Sequence, residues 1–254
     1  MAKPQNLISM SIIKIQDLKR NFQVGSETVR ALRGVSFEIN QGEFVSIMGT
    51  SGSGKSTLLN ILGCLDSPSE GEYYIDDIPV SHRSKDELSF IRNRKIGFVF
   101  QSYNLLARTS AIENVELPLL YNNTVSKSER RERAIEAIKL VGLEERMHHV
   151  PNQLSGGQQQ HVAIARAIVT DPVIILADEA TGNLDTRTSY EIMTLFQELN
   201  ARGKTIGFVT HEPDIARFTS RTIMLRDGRI IKDEPVTPTS ARQMLEALPK
   251  TQDY

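Results

Sequence analysis

The segment Gly49-Thr50-Ser51-Gly52-Ser53-Gly54-Lys55-Ser56 constrains the fold of this chain more than any other. It fits G-x-x-x-x-G-K-[ST], which works between a buried strand and a helix, where glycines let backbone N–H groups turn inward around phosphates. The flanks supply that setting. Phe44 to Met48 is a short, nearly continuous apolar run, as a buried strand requires. Thr57 to Leu65 has the spacing of a helix that buries Leu58, Leu59, Ile61 and Leu62, and its start adds partial positive charge to the loop. Lys55 is placed to reach the β- and γ-phosphates of a nucleotide, and the Ser56 hydroxyl to ligate Mg²⁺. The bland alternative, a flexible Gly/Ser turn, fits this context poorly. The loop alone does not separate ATPases, GTPases, kinases and transporters.

The rest of the chain alternates between strand and helix patterns. Ile12, Ile13 and Ile15 open a strand, and Val35, Phe37 and Ile39 alternate with polar residues before a Gln41-Gly42 turn. After a strand at Ile96 to Phe100 the pattern is helical, with Ser126 and Glu129 set as a capping box. Ala134, Ile135, Ile138 and Val141 share one face of that helix, and Gly142 ends it. Val173 to Ala177 is again a buried strand, followed by a helix through Ile192, Phe196 and Leu199 and a strand at Thr205 to Thr210. Ile223 to Leu225 and Ile230-Ile231 flank Asp227-Gly228, a hairpin signal. From Pro235 the chain is rich in Pro and Thr, then helical in pattern from Ala241 to Leu248. A parallel α/β core with a helical insert follows from this order.

Composition excludes several classes. The formal net charge of -1 over 254 residues argues against a protein that grips nucleic acid through a basic surface. No apolar stretch approaches the roughly 18 to 20 residues of a membrane-spanning helix. Lys3 is not followed by an export signal, and the single Cys64 fits a reducing compartment, so a cytoplasmic protein is expected.

Asp178 ends the strand Val173 to Ala177, where it can hold Mg²⁺ through its water shell, and Glu179 beside it is placed to polarise an attacking water. Taken alone the pair could equally be a solvated strand end. Leu154-Ser155-Gly156-Gly157-Gln158 precedes a helical run from Gln159 to Ile168, which sets a hydroxyl and open N–H groups at a helix N-terminus, an anion site. The competing reading is an ordinary serine N-cap.

With these motifs in this order, residues 10 to 235 resemble ABC transporter nucleotide-binding domains, Leu154 to Gln158 matching their signature. The resemblance implies an α/β P-loop NTPase (RecA-like) core at 10–100 and 165–235 with an N-terminal antiparallel β subdomain. It also implies a helical subdomain at 101–164 that carries the signature, and a C-terminal tail at 236–254. It implies a Mg²⁺-dependent ATP hydrolase in which Ser155, Gly156, Gly157 and Gln158 meet the γ-phosphate held by the phosphate loop of a second copy, Gly49 to Thr57. Gln101 resembles the Q-loop glutamine that senses Mg²⁺ and the water. Asn183-Leu184-Asp185 matches the D-loop, which crosses the dimer interface, and His211 the switch histidine that contacts the γ-phosphate. Phe22 stands where the family stacks an aromatic, usually Tyr, on adenine; a core role competes. Two positions depart from the pattern. His161 stands in place of an arginine after the signature, which weakens an electrostatic contact or makes it pH-sensitive, and Ala180 replaces a proline after Glu179.

Within the family, Ile61 to Asp66, Gln101 to Leu106 and Glu113 to Pro118 look most like the lipoprotein-releasing and macrolide-exporter (LolD- and MacB-like) group. That resemblance implies a homodimer with ATP at its interface, powering a separate FtsX/MacB-like integral membrane permease from the inner face of the membrane, with no nucleic acid involved. Tyr103, Leu105 and Leu106 are either apolar anchors for the permease or packing within the subdomain. The rival reading is a soluble ABC ATPase acting on a macromolecular assembly; the absence of a long coiled-coil insert and of a second cassette speaks against it.

Overall fold

A computed structural model describes residues 10–249; Lys3, with the expected lack of an export signal, and the end of the tail lie outside that range. Strand β1 (Ser11–Val24) pairs antiparallel with β2 (Glu27–Asn40), and period-two alternation buries Ile13, Ile15 and Leu18 with Val35, Phe37 and Ile39. With β4 (Glu70–Ile75) and β5 (Ile78–Pro79) they form a four-stranded sheet in the order β2-β1-β4-β5.

The second sheet holds six strands in the order β10-β9-β3-β8-β7-β6. Its β3 (Phe44–Met48), β6 (Ile96–Phe100), β7 (Ile174–Asp178), β8 (Thr205–Thr210) and β9 (Arg221–Arg226) are mutually parallel, and β10 (Arg229–Pro235) returns antiparallel beside β9. Asp227 (φ 51°) and Gly228 (φ 75°) make the expected hairpin turn with both central residues left-handed. Alternation along these strands divides the interior into two cores. Val45, Ile47, Ile174 and Leu176 face the four-stranded sheet and helix α1 (Lys55–Leu62). Phe44, Ile175, Ile206 and Phe208 face the helices on the other side. Each fully buried side chain of this kind is worth about 1.5–3 kcal/mol, which is why the strands read as continuous apolar runs.

Helix α2 (Lys85–Lys95) precedes β6, and α3 (Ala111–Glu116), α4 (Lys127–Leu140) and α5 (Gly156–Ile168) form the helical insert. Helix α6 (Thr186–Ala201) covers Phe44 and Phe208 through Phe196, and α7 (Pro213–Ala216) follows β8. Beyond Pro235 the chain packs back onto α6 through α8 (Ala241–Ala247). Gln197 donates to the carbonyls of Phe218 and Thr239 and accepts from Ala241 N–H at 2.9 Å.

Local expectations are corrected at three places. Helix α1 stops at Leu62 rather than Leu65, because Cys64 turns left-handed (φ 54°) and Arg92 holds its carbonyl at 2.7 Å. Ser126 caps α4, but Glu129 turns to Arg133 one turn on instead of closing the box; complete boxes form at Ser84/Glu87 and Ser110/Glu113. Helix α5 starts at Gly156, three residues before the expected Gln159. Truncating Phe208, whose ring sits 5.5 Å from that of Phe196, is expected to cost about 3–5 kcal/mol in urea-induced unfolding of Phe208→Ala.

Candidate functional site

The carboxyl ends of β3, β7 and β8 lie side by side, and the chain leaves each with a different chemical group. From β3 it enters the phosphate loop. Gly54, the N-cap of α1, is left-handed (φ 105°), and a Cβ there would lie 2.7 Å from the Ala31 carbonyl. No side chain caps α1, so its first N–H groups face the loop uncapped. Lys55 is buried and its Nζ donates to the carbonyls of Gly49 at 2.7 Å and Thr50 at 3.0 Å, which fixes the ammonium within the loop.

From β7 the chain continues into Asp178 and Glu179. Glu179 is left-handed (φ 44°), a costly conformation for a residue other than glycine, held by its N–H bond to the Val209 carbonyl at 2.9 Å. From β8 the chain reaches His211, whose Nδ1 is 2.9 Å from Glu179 Oε1. Burial, and then the charge of Glu179, raise the Asp178 carboxyl above its usual range, while Lys55 opposes the rise. Lys55, Ser56, Glu179 and His211 line one cleft of about 1210 Å³, together with Gly49 to Gly52, Gly54 and Thr57. Arg30 and Arg226 line it too. Nothing local marks those two arginines; the hairpin registers of β1–β2 and β9–β10 deliver them.

Other expected site residues lie elsewhere. Phe22 does not line the cleft; Arg20, paired with Asp66, sits 4.5 Å over its ring, and its cross-strand partner Val29 lines the cleft instead. Gln101 is bonded to Asn183 through Nε2 at 3.2 Å, and Asn183 Nδ2 returns a bond to the Gln101 carbonyl. Asp185 caps α6, accepting from Thr188 N–H at 3.0 Å and from its hydroxyl at 2.6 Å, which lowers its carboxyl below the usual range. Ser155 caps α5 and makes a reciprocal box with Gln158, so the plain N-cap reading holds within the chain. Gly156 and Gly157 are close-approach positions: a Cβ would stand 2.9 Å from Tyr103 Oη and 2.5 Å from Thr188 Cγ2. None of Ser155 to Gln158 lines the cleft that holds Lys55.

His161 is no exposed electrostatic contact. It is half-buried within the helical insert, and its Nδ1 donates to the Val141 carbonyl at 2.9 Å. Burial lowers its pKa below 6.5, against the smaller opposite effect of that bond. Ala180 is buried, and its carbonyl accepts from Gln160 Nε2 at 2.8 Å.

A protein-family model described as "ABC transporter" matches residues 32–182. The chain belongs to that family. An ATP-binding protein of Bacillus subtilis, YknY, is 54% identical over 220 residues, covering 87% of this chain and 95% of the relative. The macrolide export ATP-binding/permease protein MacB of Chlorobium phaeobacteroides is 54% identical over 223 residues; the match covers 88% of this chain and only 34% of MacB. Among solved structures, the dimeric cassette MJ0796 bound to ADP and Pi superposes with a TM-score of 0.81 at 50% identity, over 89% of this chain and 100% of that one. The protein is therefore an ATP-binding subunit of the ABC transporter class, an ATPase on the P-loop NTPase fold. Among the described residues no helix is long and apolar enough to cross a membrane.

The His161 environment has a measurable consequence. A histidine whose folded pKa is depressed costs the folded state nothing when neutral. Stability is therefore complete above pH 6.5 and falls as pH drops from there toward the folded value. His161→Asn, which keeps a donor at the Nδ1 position without titrating, is expected to flatten the melting temperature against pH between about 7 and 5 relative to wild type.

Proposed function

We propose that two copies of this chain close head to tail over two ATP molecules, and that this dimer powers a separate MacB-like membrane permease in export or extraction of a substrate from the membrane. The observation that carries the reading is the division of the site. The uncapped helix start and the Glu179–His211 pair open on one cleft, whereas the N-terminus of α5 with Ser155 opens elsewhere on the same chain. A second copy supplies the missing wall. The dimeric MJ0796 cassette supports this arrangement.

In such a dimer Lys55 and the loop N–H groups bind the phosphates, and Gly156 and Gly157 of the other copy close over the γ-phosphate with Ser155. Glu179 takes the proton of the attacking water, and His211, bonded to it, orients the carboxylate toward the γ-phosphate side of the cleft. The donors suit Mg²⁺: Asp178 is a carboxylate crowded by a like charge, and Ser56 is a hydroxyl at the uncapped helix start. When bound, Mg²⁺ neutralises charge developing on the nucleotide phosphates.

The permease reading is supported by the MacB relatives, whose ATP-binding/permease chains this one matches over 34% of their length. A groove of about 770 Å³ between α2, β6 and α5 suits an apolar segment of such a partner. Phe98 and Phe100 stack at 5.0 Å on its wall, and Phe90, Leu65 and Tyr121 are exposed on it. Of Tyr103, Leu105 and Leu106, which the sequence left open between permease anchors and packing, only Leu106 is exposed; Leu105 packs partly buried against the core and Tyr103 against Gly156.

Phosphate release by Glu179→Gln is expected to fall by at least about a hundredfold, with the variant sedimenting as a dimer in ATP and as a monomer in ADP. Undiminished hydrolysis would remove Glu179 as the base. Recovery of the wild-type chain with a membrane protein from detergent extract is the expected partner result; recovery with ribosomes or DNA would overturn the transport reading.

A further inference from the structure

The turn after β6 contains two consecutive non-glycine residues in the left-handed region, Tyr103 (φ 55°) and Asn104 (φ 49°). L-residues disfavour that region, tyrosine more than asparagine, so an adjacent pair persists only where its surroundings hold it. One side chain does most of the holding. Arg166 of α5 donates Nη1 to the Asn104 carbonyl at 2.6 Å and Nη2 to the Tyr103 carbonyl at 2.7 Å.

The match is geometric. Successive residues in one helical sense, of either hand, point their carbonyls the same way. Two neighbouring acceptors suit the planar fork of a guanidinium, which meets each with its own N–H in a fixed geometry that a lysine ammonium does not reproduce. Arg166 is half-buried, and partial burial draws its pKa below the usual arginine range. A desolvated cation gains most from such charge-assisted bonds, so the contact is not an incidental surface pairing.

The same turn touches the signature. Tyr103 Oη lies 2.9 Å from where a Cβ on Gly156 would stand, so α5 meets the turn near its N-terminus and again near its C-terminus. At its start the turn carries Gln101, bonded to Asn183. We propose that Arg166 is a positioning residue that locks the Q-loop turn to the signature helix, so that Gln101 and Ser155 to Gln158 shift as one unit. The clamp is a property of the folded chain; its meaning for hydrolysis rests on the dimeric reading above. Sequence offers one faint signal for it: a lone cation inside the apolar run Val162 to Ile168.

The test uses the full chain with Arg166→Met and Arg166→Lys. Hydrogen–deuterium exchange of amides 101–106 is expected to rise about tenfold in Arg166→Met, with exchange in α5 and in the phosphate loop unchanged. In steady-state phosphate release, kcat is expected to fall about tenfold at a KM for ATP within about twofold of wild type, with Arg166→Lys intermediate in both readouts. Unchanged exchange at 101–106, or faster exchange spread through α5 and the core, would overturn the proposal; so would a loss confined to KM. If the wild-type chain released no phosphate, the dimeric reading would fail, and the exchange result would still decide the clamp.

Discussion

Burial of β3 on both faces is the constraint on which the rest of the molecule depends. Val45 and Ile47 close one core and Phe44 the other, so the strand has no solvent face and no freedom of register. Its parallel neighbours β8 and β9 are aligned from Phe44↔Ile206 and Val45↔Arg221 onward. With registers set, the strand ends are set, and the groups that follow them converge. Lys55, Glu179 and His211 come from three distant stretches of chain, yet share a cleft because β3, β7 and β8 end at the same level.

Part of the chain's backbone strain sits just past the ends of β6 and β7. Glu179, Tyr103 and Asn104 are all left-handed without being glycine, and each is held by a specific bond: the Val209 carbonyl for Glu179, the Arg166 guanidinium for the other two. Residues kept in costly conformations by their surroundings are preorganised, which is what a site acting on a phosphoanhydride needs. Gln101 and Asn183 bond to each other across the gap between two such loops, so the ends of β6 and β7 are tied by side chains as well as by the sheet.

Much of this was legible in the sequence, and the reasons differ by element. Buried strands such as Phe44–Met48, Ile96–Phe100 and Thr205–Thr210 were readable to the residue, because a strand covered on both faces must be continuously apolar. The Asp227-Gly228 hairpin was readable because few residue pairs accept two left-handed positions. Helix ends were less so. Ser126 and Glu129 formed half a box because Arg133 competed for the carboxylate, and Leu65 lay outside α1 because Arg92, from another helix, holds the Cys64 carbonyl. The place of Phe22 was not readable either, since Arg20 covers its ring through a pairing with Asp66 far along the chain.

The sequence by itself determined the phosphate loop, the carboxylate beside it and the family, because those depend on residue type at fixed local spacing: glycines for φ and close approach, lysine for charge, serine for a hydroxyl at a helix start. Only the tertiary structure decided which groups act together. It turned His161 inward to the Val141 carbonyl, made Asp185 and Ser155 helix caps within their own chain, and set Arg166 under the Q-loop. The physical reason is that such pairings are made across sheet registers and helix crossings, between residues many positions apart, and no local spacing encodes them.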